Sequence, residues 1–222
     1  MAGYTGVVVA GSRGLGIELV GYLSGSVSFG IECMLDTVRQ GEVCGLRVID
    51  PGQYDGACRE AFFAFGYPLV KRDFLRRYEA LRLNWRTYVH PTATVSPLAE
   101  VGRGCIIGPY ATVAGNAVVG DFVLINAYAA VGHDSRIADY SSLMPYACVN
   151  GRCRVGEEVL VSTKAVILPG VHLGERCRIS AGAVVNRAIP PDSLAFGNPA
   201  RFQPDVTAMK ERASMLDGEQ DS

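Results

Sequence analysis

The sequence has no excess of either charge: 21 basic side chains stand against 22 acidic ones in 222 residues, for a net charge of −1. A chain without a general basic field has nothing with which to draw in nucleic acid or anionic lipid, so any phosphate it binds must be held by local groups. No run approaches the roughly 18 apolar residues that a bilayer crossing needs, and the opening MAGYTGVVVAGSRG lacks a basic segment followed by a long apolar one. These absences predict a soluble, cytoplasmic chain with no membrane or nucleic-acid partner. The seven cysteines (Cys33, Cys44, Cys58, Cys105, Cys148, Cys153, Cys177) are odd in number and have neither CxxC nor zinc-ligand spacing, which predicts neither a disulfide framework nor a metal site. Histidine is scarce, with three residues, so candidates for a general base are few. What is abundant is aliphatic: hydrophobic residues make up 49% and charged ones 19%, enough for one large domain or two small ones. Only the extreme C-terminus reads as disordered, with a short helix possible over 209–218.

An aliphatic residue occupies every sixth position from Val89 to Val185, through Val95, Val101, Ile107, Val113 and onward without exception. Four residues later in each hexad a second register holds small or slim residues, among them Ala93, Cys105, Ala117, Ser135, Ser141, Cys153, Ala165 and Cys177. Neither a 3.6-residue helix nor isolated alternating strands keep one aliphatic set at a strict spacing of six. Short strands joined by regular corners do, each aliphatic side chain stacking on its equivalent one coil away. Three cysteines are thereby explained as small core residues.

The N-terminal half has a different grammar. Residues 6–10 (GVVVA) predict a strand, Gly11-Ser12-Arg13-Gly14-Leu15-Gly16 a turn, and the amphipathic segment after it a helix. Segments 31–36 (IECMLD) and 61–66 (AFFAFG) read as further strands, ending in Asp36 and Gly66. Loops at the ends of such strands meet in one crevice, where glycines admit a phosphate and a helix N-terminus offers free N–H groups. Residues 68–83 predict a helix with Val70, Phe74, Tyr78 and Leu81 on its buried stripe and Lys71, Arg72, Arg76 and Arg77 solvated. The boundary between the halves falls near Asn84, giving regions 1–84, 85–203 and 204–222. The first coil is expected to be capped by the N-terminal region and the last by residues 188–222.

The hexads resemble the hexapeptide-repeat acyltransferases, which implies a left-handed parallel β-helix of about five to six coils. The order GSRGLG, LD, AFG, VHPTA, coils and GNPAR resembles the nucleotide-sugar N-acetyltransferases of the sialic-acid, bacillosamine and perosamine type. The resemblance implies an α/β Rossmann-like domain followed by the β-helix, mainly β overall, and a homotrimer that uses acetyl-CoA as co-substrate and no metal. It implies acetylation of the amino group of a nucleotide-linked sugar for surface-glycan synthesis. O-acetylation of a small acceptor and a non-catalytic scaffold are the alternatives. By match of motif, Ser12, Arg13, Gly14, Asp36 and Gly66 bind the nucleotide. Leu15 stands where the family usually has His, Thr37 where it has a second acid, and Tyr67 and Pro68 where it has polar residues.

Acetyl transfer to an amine needs a base to take its proton and donors for the developing oxyanion. His90, beside Pro91, reads as a turn residue and His172 as a surface or CoA-edge residue. His133, in Val131-Gly132-His133-Asp134, matches the family's catalytic H-[DE] pair. Adjacent residues on a strand point to opposite faces, so Asp134 orients His133 only if the pair sits at a corner. The resemblance places the coenzyme against Ser142, Gly151, Thr163, Ala181, Gly182 and Arg201; Ser142 stands where relatives often have His, which removes one contact.

Overall fold

The computed structural model describes residues 5–24, 29–56, 58–205 and 207, so the helix expected over 209–218 lies outside the described residues. The N-terminal region contains β1 (Thr5–Ala10), α1 (Gly14–Ser24), β2 (Phe29–Leu35), β3 (Gly41–Val43), β4 (Leu46–Ile49), β5 (Glu60–Phe63), α2 (Pro68–Arg77) and β6 (Asn84–Trp85). The strands form one sheet in the order β3-β4-β2-β1-β5-β6. β1 is parallel to β2 on one side and to β5 on the other, while the β3–β4 hairpin, which had no clear signal in the sequence, is antiparallel. A strand covered on both faces is apolar throughout rather than alternating: Val8, Val9, Ala10, Met34, Leu35, Ala61 and Phe62 are all at most 2% exposed. The first turn needs its glycines. A Cβ on Gly16 would lie 2.0 Å from the Gly11 carbonyl oxygen, and Gly11 has φ +102° with its Cβ position 2.7 Å from the Ala64 carbonyl oxygen.

The helix expected over 68–83 ends early. α2 stops at Arg77 and a 3-10 turn, Glu79–Leu81, follows, closed by Arg82 at φ +48°. Its basic residues are not all solvated as predicted. Lys71 is 1% exposed because it reaches the second half of the chain and donates to the carbonyl oxygens of Phe122 at 2.9 Å and Ser141 at 3.1 Å. Burial with no carboxylate among its hydrogen-bond partners pushes the amine down to about 7.

From Tyr88 the chain forms two-residue strands joined by four-residue corners, wound into a parallel β-solenoid of the left-handed type. Three sheets result, starting at Tyr88–Val89, Thr94–Val95 and Glu100–Val101. Each strand pairs with the strand one coil on, as Ile107 does with Ile125 and Ile125 with Leu143. The expected registers fill the interior: Ile107, Ile125, Leu143, Val161 and Ile179 are unexposed, as are Cys105, Cys153 and Cys177. Ser135 and Ser141 fit the small register without polar penalty, since each hydroxyl donates to a carbonyl and accepts a backbone N–H. The corners carry a feature the hexad pattern did not announce. From Gly104 to Gly182 one residue in six, including Tyr110, Tyr128, Asp134, Tyr146 and Arg152, sits at positive φ, between +55° and +63° where it is not glycine. For an L-residue this costs about 1–2 kcal/mol, which core burial in each coil offsets.

The expected capping of the first coil is corrected by the structure. Val89 is 44% and Leu98 69% exposed, because the N-terminal region covers the first sheet's side instead: Tyr88, Ile106 and Leu124 pack into one cluster with Val9, Leu19, Met34 and Phe62. At the other end an antiparallel hairpin, Ser193–Phe196 with Arg201–Pro204, completes the first sheet.

Candidate active site

A cavity of about 720 Å³ opens between the glycine turn, the ends of β2 and β5, α2, and the corners that follow the first sheet of the solenoid. Arg13, Gly14 and Gly66 line it, as do Leu124, Asn126, Met144, Pro145 and Thr163 from the coils. Ser12 and Asp36 border it but are occupied with each other. One Asp36 oxygen accepts from the Ser12 N–H at 3.0 Å and the Ser12 hydroxyl at 2.8 Å; the other accepts from the N–H groups of Val38 at 2.9 Å and Arg39 at 3.1 Å. Ser12 is unexposed and Asp36 5% exposed. Burial raises the Asp36 pKa, but these bonds outweigh it and hold the carboxyl below its usual range. The pair therefore shapes the loop, and its side chains have little left to offer a ligand.

His133 and Asp134 lie at the corner between the second and third sheets, in a turn. Asp134 has φ +60°, and this reversal brings the neighbouring side chains together: His133 Nδ1 and Asp134 Oδ2 are 2.7 Å apart. Asn116 Nδ2, one coil earlier, donates to the other carboxylate oxygen at 3.1 Å. The hydrogen bond from His133, then that from Asn116, lowers the Asp134 pKa. Both side chains are about half exposed, 56% and 48%. The imidazole rests on Gly151, one coil later, where a Cβ would stand 2.5 Å from His133 Nε2. The remaining histidines behave otherwise. His90 Nδ1 accepts the Thr92 N–H in a turn, and His172 is an exposed residue beside Arg154 on the third sheet.

The predicted coenzyme residues divide between two corners. Thr163 lies at the cavity, and Ala181 and Gly182 stack one coil above it, with the Gly182 N–H donating to the Thr163 carbonyl. Gly151 is at the His133 corner, on the opposite edge of the second sheet. Arg201 lies on the closing hairpin opposite Phe196. Ser142 joins none of these: it is unexposed on the covered side of the first sheet and its hydroxyl has no hydrogen-bond partner among the described residues, so a coenzyme contact from it does not fit this arrangement. Residues that sequence reasoning passed over are Asn116, Asn126, and Asp73 with Arg77 on α2; the last two carried only the signal of a charged helix face.

A model of the bacterial transferase hexapeptide (six repeats) matches residues 152–187. The acetyltransferase domain of PglB from Neisseria gonorrhoeae, solved with acetyl coenzyme A, has 30% identity and a TM-score of 0.80, over 90% of this chain and 99% of that one. The chain belongs to the hexapeptide-repeat acyltransferase family. Perosamine N-acetyltransferase from Caulobacter crescentus, solved with CoA and GDP-perosamine, superposes on this acyltransferase with a TM-score of 0.84 at 26% identity, over 90% and 97% of the two chains. WeeI from Acinetobacter baumannii, at 22% identity and a TM-score of 0.74, shares the fold. A search of curated proteins finds no match. Among the described residues no group of three or more His, Cys, Asp or Glu is placed to hold a metal ion, and no helix is long and apolar enough to cross a membrane.

Proposed function

We propose that the chain is an acetyl-CoA-dependent N-acetyltransferase that acts on the amino group of a nucleotide-linked aminosugar. The observation that carries this reading is the His133–Asp134 pair, 2.7 Å apart at an exposed corner of a chain similar to acetyltransferases crystallised with CoA or acetyl-CoA and, in one case, with a nucleotide sugar. Asp134 holds the Nδ1–H and leaves Nε2 to act. The neutral amine attacks the thioester carbonyl carbon, its proton passes to His133 Nε2, and backbone N–H groups near Gly151 meet the oxyanion. Collapse expels the CoA sulfur, which takes the proton back from His133. Arg13, Gly14 and Gly66 hold the nucleotide directly, with Ser12 and Asp36 shaping the loop behind them. Gly151, Thr163, Ala181, Gly182 and Arg201 receive the coenzyme.

The reading includes a Rossmann-like domain over 1–84, supported by the parallel order of β2, β1 and β5 with the cavity at their ends, then the β-helix over 85–203 and a tail over 204–222. It also includes a homotrimer in the cytoplasm. The second sheet presents Thr94, Thr112, Ala130, Cys148, Val166 and Val184 outward, with no charge among them, whereas the third presents Glu100, Arg136, Arg154 and His172. An uncharged flat side suits a second copy. The placement of the cavity and His133 on opposite edges of that sheet supports a neighbour docked there, which would bring one copy's cavity to the other's His133. Surface-glycan synthesis is the destination we assign.

The deciding experiment is steady-state turnover of acetyl-CoA with a nucleotide aminosugar by wild type and by His133→Asn. Loss of kcat with coenzyme binding and assembly intact supports the reading; retained turnover overturns it.

A further inference from the structure

The cavity has a charged feature that transfer chemistry leaves unused. On α2, Val70, Asp73 and Arg77 recur at helical spacing along its wall. The Arg77 guanidinium lies 3.5 Å from the Asp73 carboxylate, with the two side chains 53% and 29% exposed. Tyr78, next along the chain, lines the same cavity.

The pair has a definite place along the cavity. α2 runs roughly 14 Å from Pro68 to Arg77. Just before its start, the Tyr67 hydroxyl meets Arg178 of the solenoid; at its far end Arg77 and Tyr78 line the cavity, which Val38 also lines. A nucleotide sugar with its diphosphate at the glycine turn sends its sugar toward the coil residues Asn126 and Thr163. Its base then points the other way, toward Val38, Asp73, Arg77 and Tyr78. That assignment rests on the nucleotide-sugar reading above.

We infer that Asp73 and Arg77 read the nucleobase and select one that carries a ring N–H beside a carbonyl, the lactam edge shared by guanine, uracil and thymine. A carboxylate only accepts and a guanidinium only donates, so together they present one acceptor and one donor about a hydrogen bond apart. A lactam edge answers with a donor N–H for Asp73 and an acceptor carbonyl for Arg77. Guanine adds its amino group and engages the carboxylate through two donors. The ribose tether fixes which way the edge is presented. Adenine and cytosine therefore place an acceptor nitrogen against the carboxylate and an amino group against the guanidinium, and both contacts turn repulsive.

The test is calorimetric titration of the full-length protein with GDP, UDP, dTDP, ADP and CDP, alongside acetyl-CoA. At least one lactam base is expected to bind about tenfold or more tightly than ADP and CDP, and the ranking among GDP, UDP and dTDP names the base. Asp73→Ala and Arg77→Ala change a half-buried and an exposed side chain outside the core and are expected to shrink that ratio to within about threefold while acetyl-CoA binding is unchanged. Equal affinity of wild type for all five, or variants that weaken every nucleotide alike and keep the ratio, overturns the inference and leaves the nucleotide-sugar reading standing. If acetyl-CoA binds and no nucleotide does, the nucleotide-sugar reading falls and takes this one with it.

Discussion

His133 rests on Gly151: a single methyl group added at Gly151 would stand 2.5 Å from the imidazole Nε2. Gly151 has no left-handed backbone to maintain, so Gly151→Ala brings no backbone strain, and the atoms nearest its methyl group are those of the His133 ring. Acetyl-CoA affinity, measured alongside, separates this contact from the coenzyme role proposed for Gly151. The imidazole is the movable partner, being 56% exposed, and it swings away from Asp134. We expect kcat to fall by about tenfold or more while the thermal midpoint moves by less than about 3 °C. A fall in midpoint with kcat preserved would mean that the ring position does not matter to transfer.

His133→Asn removes the base and is expected to lower kcat by roughly 10²–10⁴-fold with acetyl-CoA affinity unchanged. Asp134→Asn keeps the corner, since Asn tolerates a positive φ, but no longer supports the charged imidazole. Its expected loss is smaller, about 10- to 100-fold, and Asn116→Ala, which frees one Asp134 oxygen, should cost less again. An order in which Asn116→Ala exceeds Asp134→Asn would contradict this geometry.

Asp36 and Ser12 act as one unit, so their effects on nucleotide affinity should not add. Asp36→Asn and Ser12→Ala are each expected to weaken nucleoside diphosphate binding by about tenfold, and the double variant by much less than a hundredfold. The Asp36 carboxyl is held below its usual range in the native protein. Its stabilisation is thus present above the unfolded carboxyl pKa of about 4 and is lost as pH falls through the native value. Denaturant titrations should show the gap between wild type and Asp36→Asn closing as pH falls from 5 to 3.

Lys71 has the opposite linkage. Its native pKa of about 7 lies below the unfolded value of about 10.4, so between those limits the unfolded chain binds more protons and stability rises with pH. Lys71→Met should lack this rise. The stability of wild type minus that of Lys71→Met is expected to grow from pH 7 to 10 by at most about 1.4 kcal/mol per unit; a constant difference would show that Lys71 stays protonated in the native state.

Val166→Arg places a charge in the middle of the uncharged second sheet without touching the core column behind it. On the proposed assembly, sedimentation should report that this variant no longer forms a homotrimer and assays should report loss of transfer, with the far-UV spectrum kept. A variant that remains trimeric and active would remove that sheet from the interface.

The solenoid was legible because it is periodic. Every coil repeats the same local contacts, so the aliphatic register and the small register, Cys105, Cys153 and Cys177 included, identify interior positions without knowledge of any distant partner. The strand, glycine turn and helix at Gly11–Gly16 were legible for a related reason: the steric demand falls on residues close in sequence. Asp134 could be given either of two roles until the backbone sign at that residue was known, because one φ angle decides whether adjacent side chains diverge or meet.

What the amino-acid sequence by itself determined, then, is the coil and its core, the glycine turn, and the identity of the one histidine in the family's H-[DE] context. Only the tertiary structure decided that Lys71 is buried against Phe122 and Ser141, that Ser142 lies covered on the side of the first sheet that packs on the N-terminal region, that Asp36 bonds Ser12 with one oxygen and its own loop with the other, and that the cavity and His133 occupy opposite edges of one sheet. Each depends on two elements docked at a particular angle, through contacts between residues far apart in the chain. Hydrophobic periodicity reports which face of an element is buried but not what covers it.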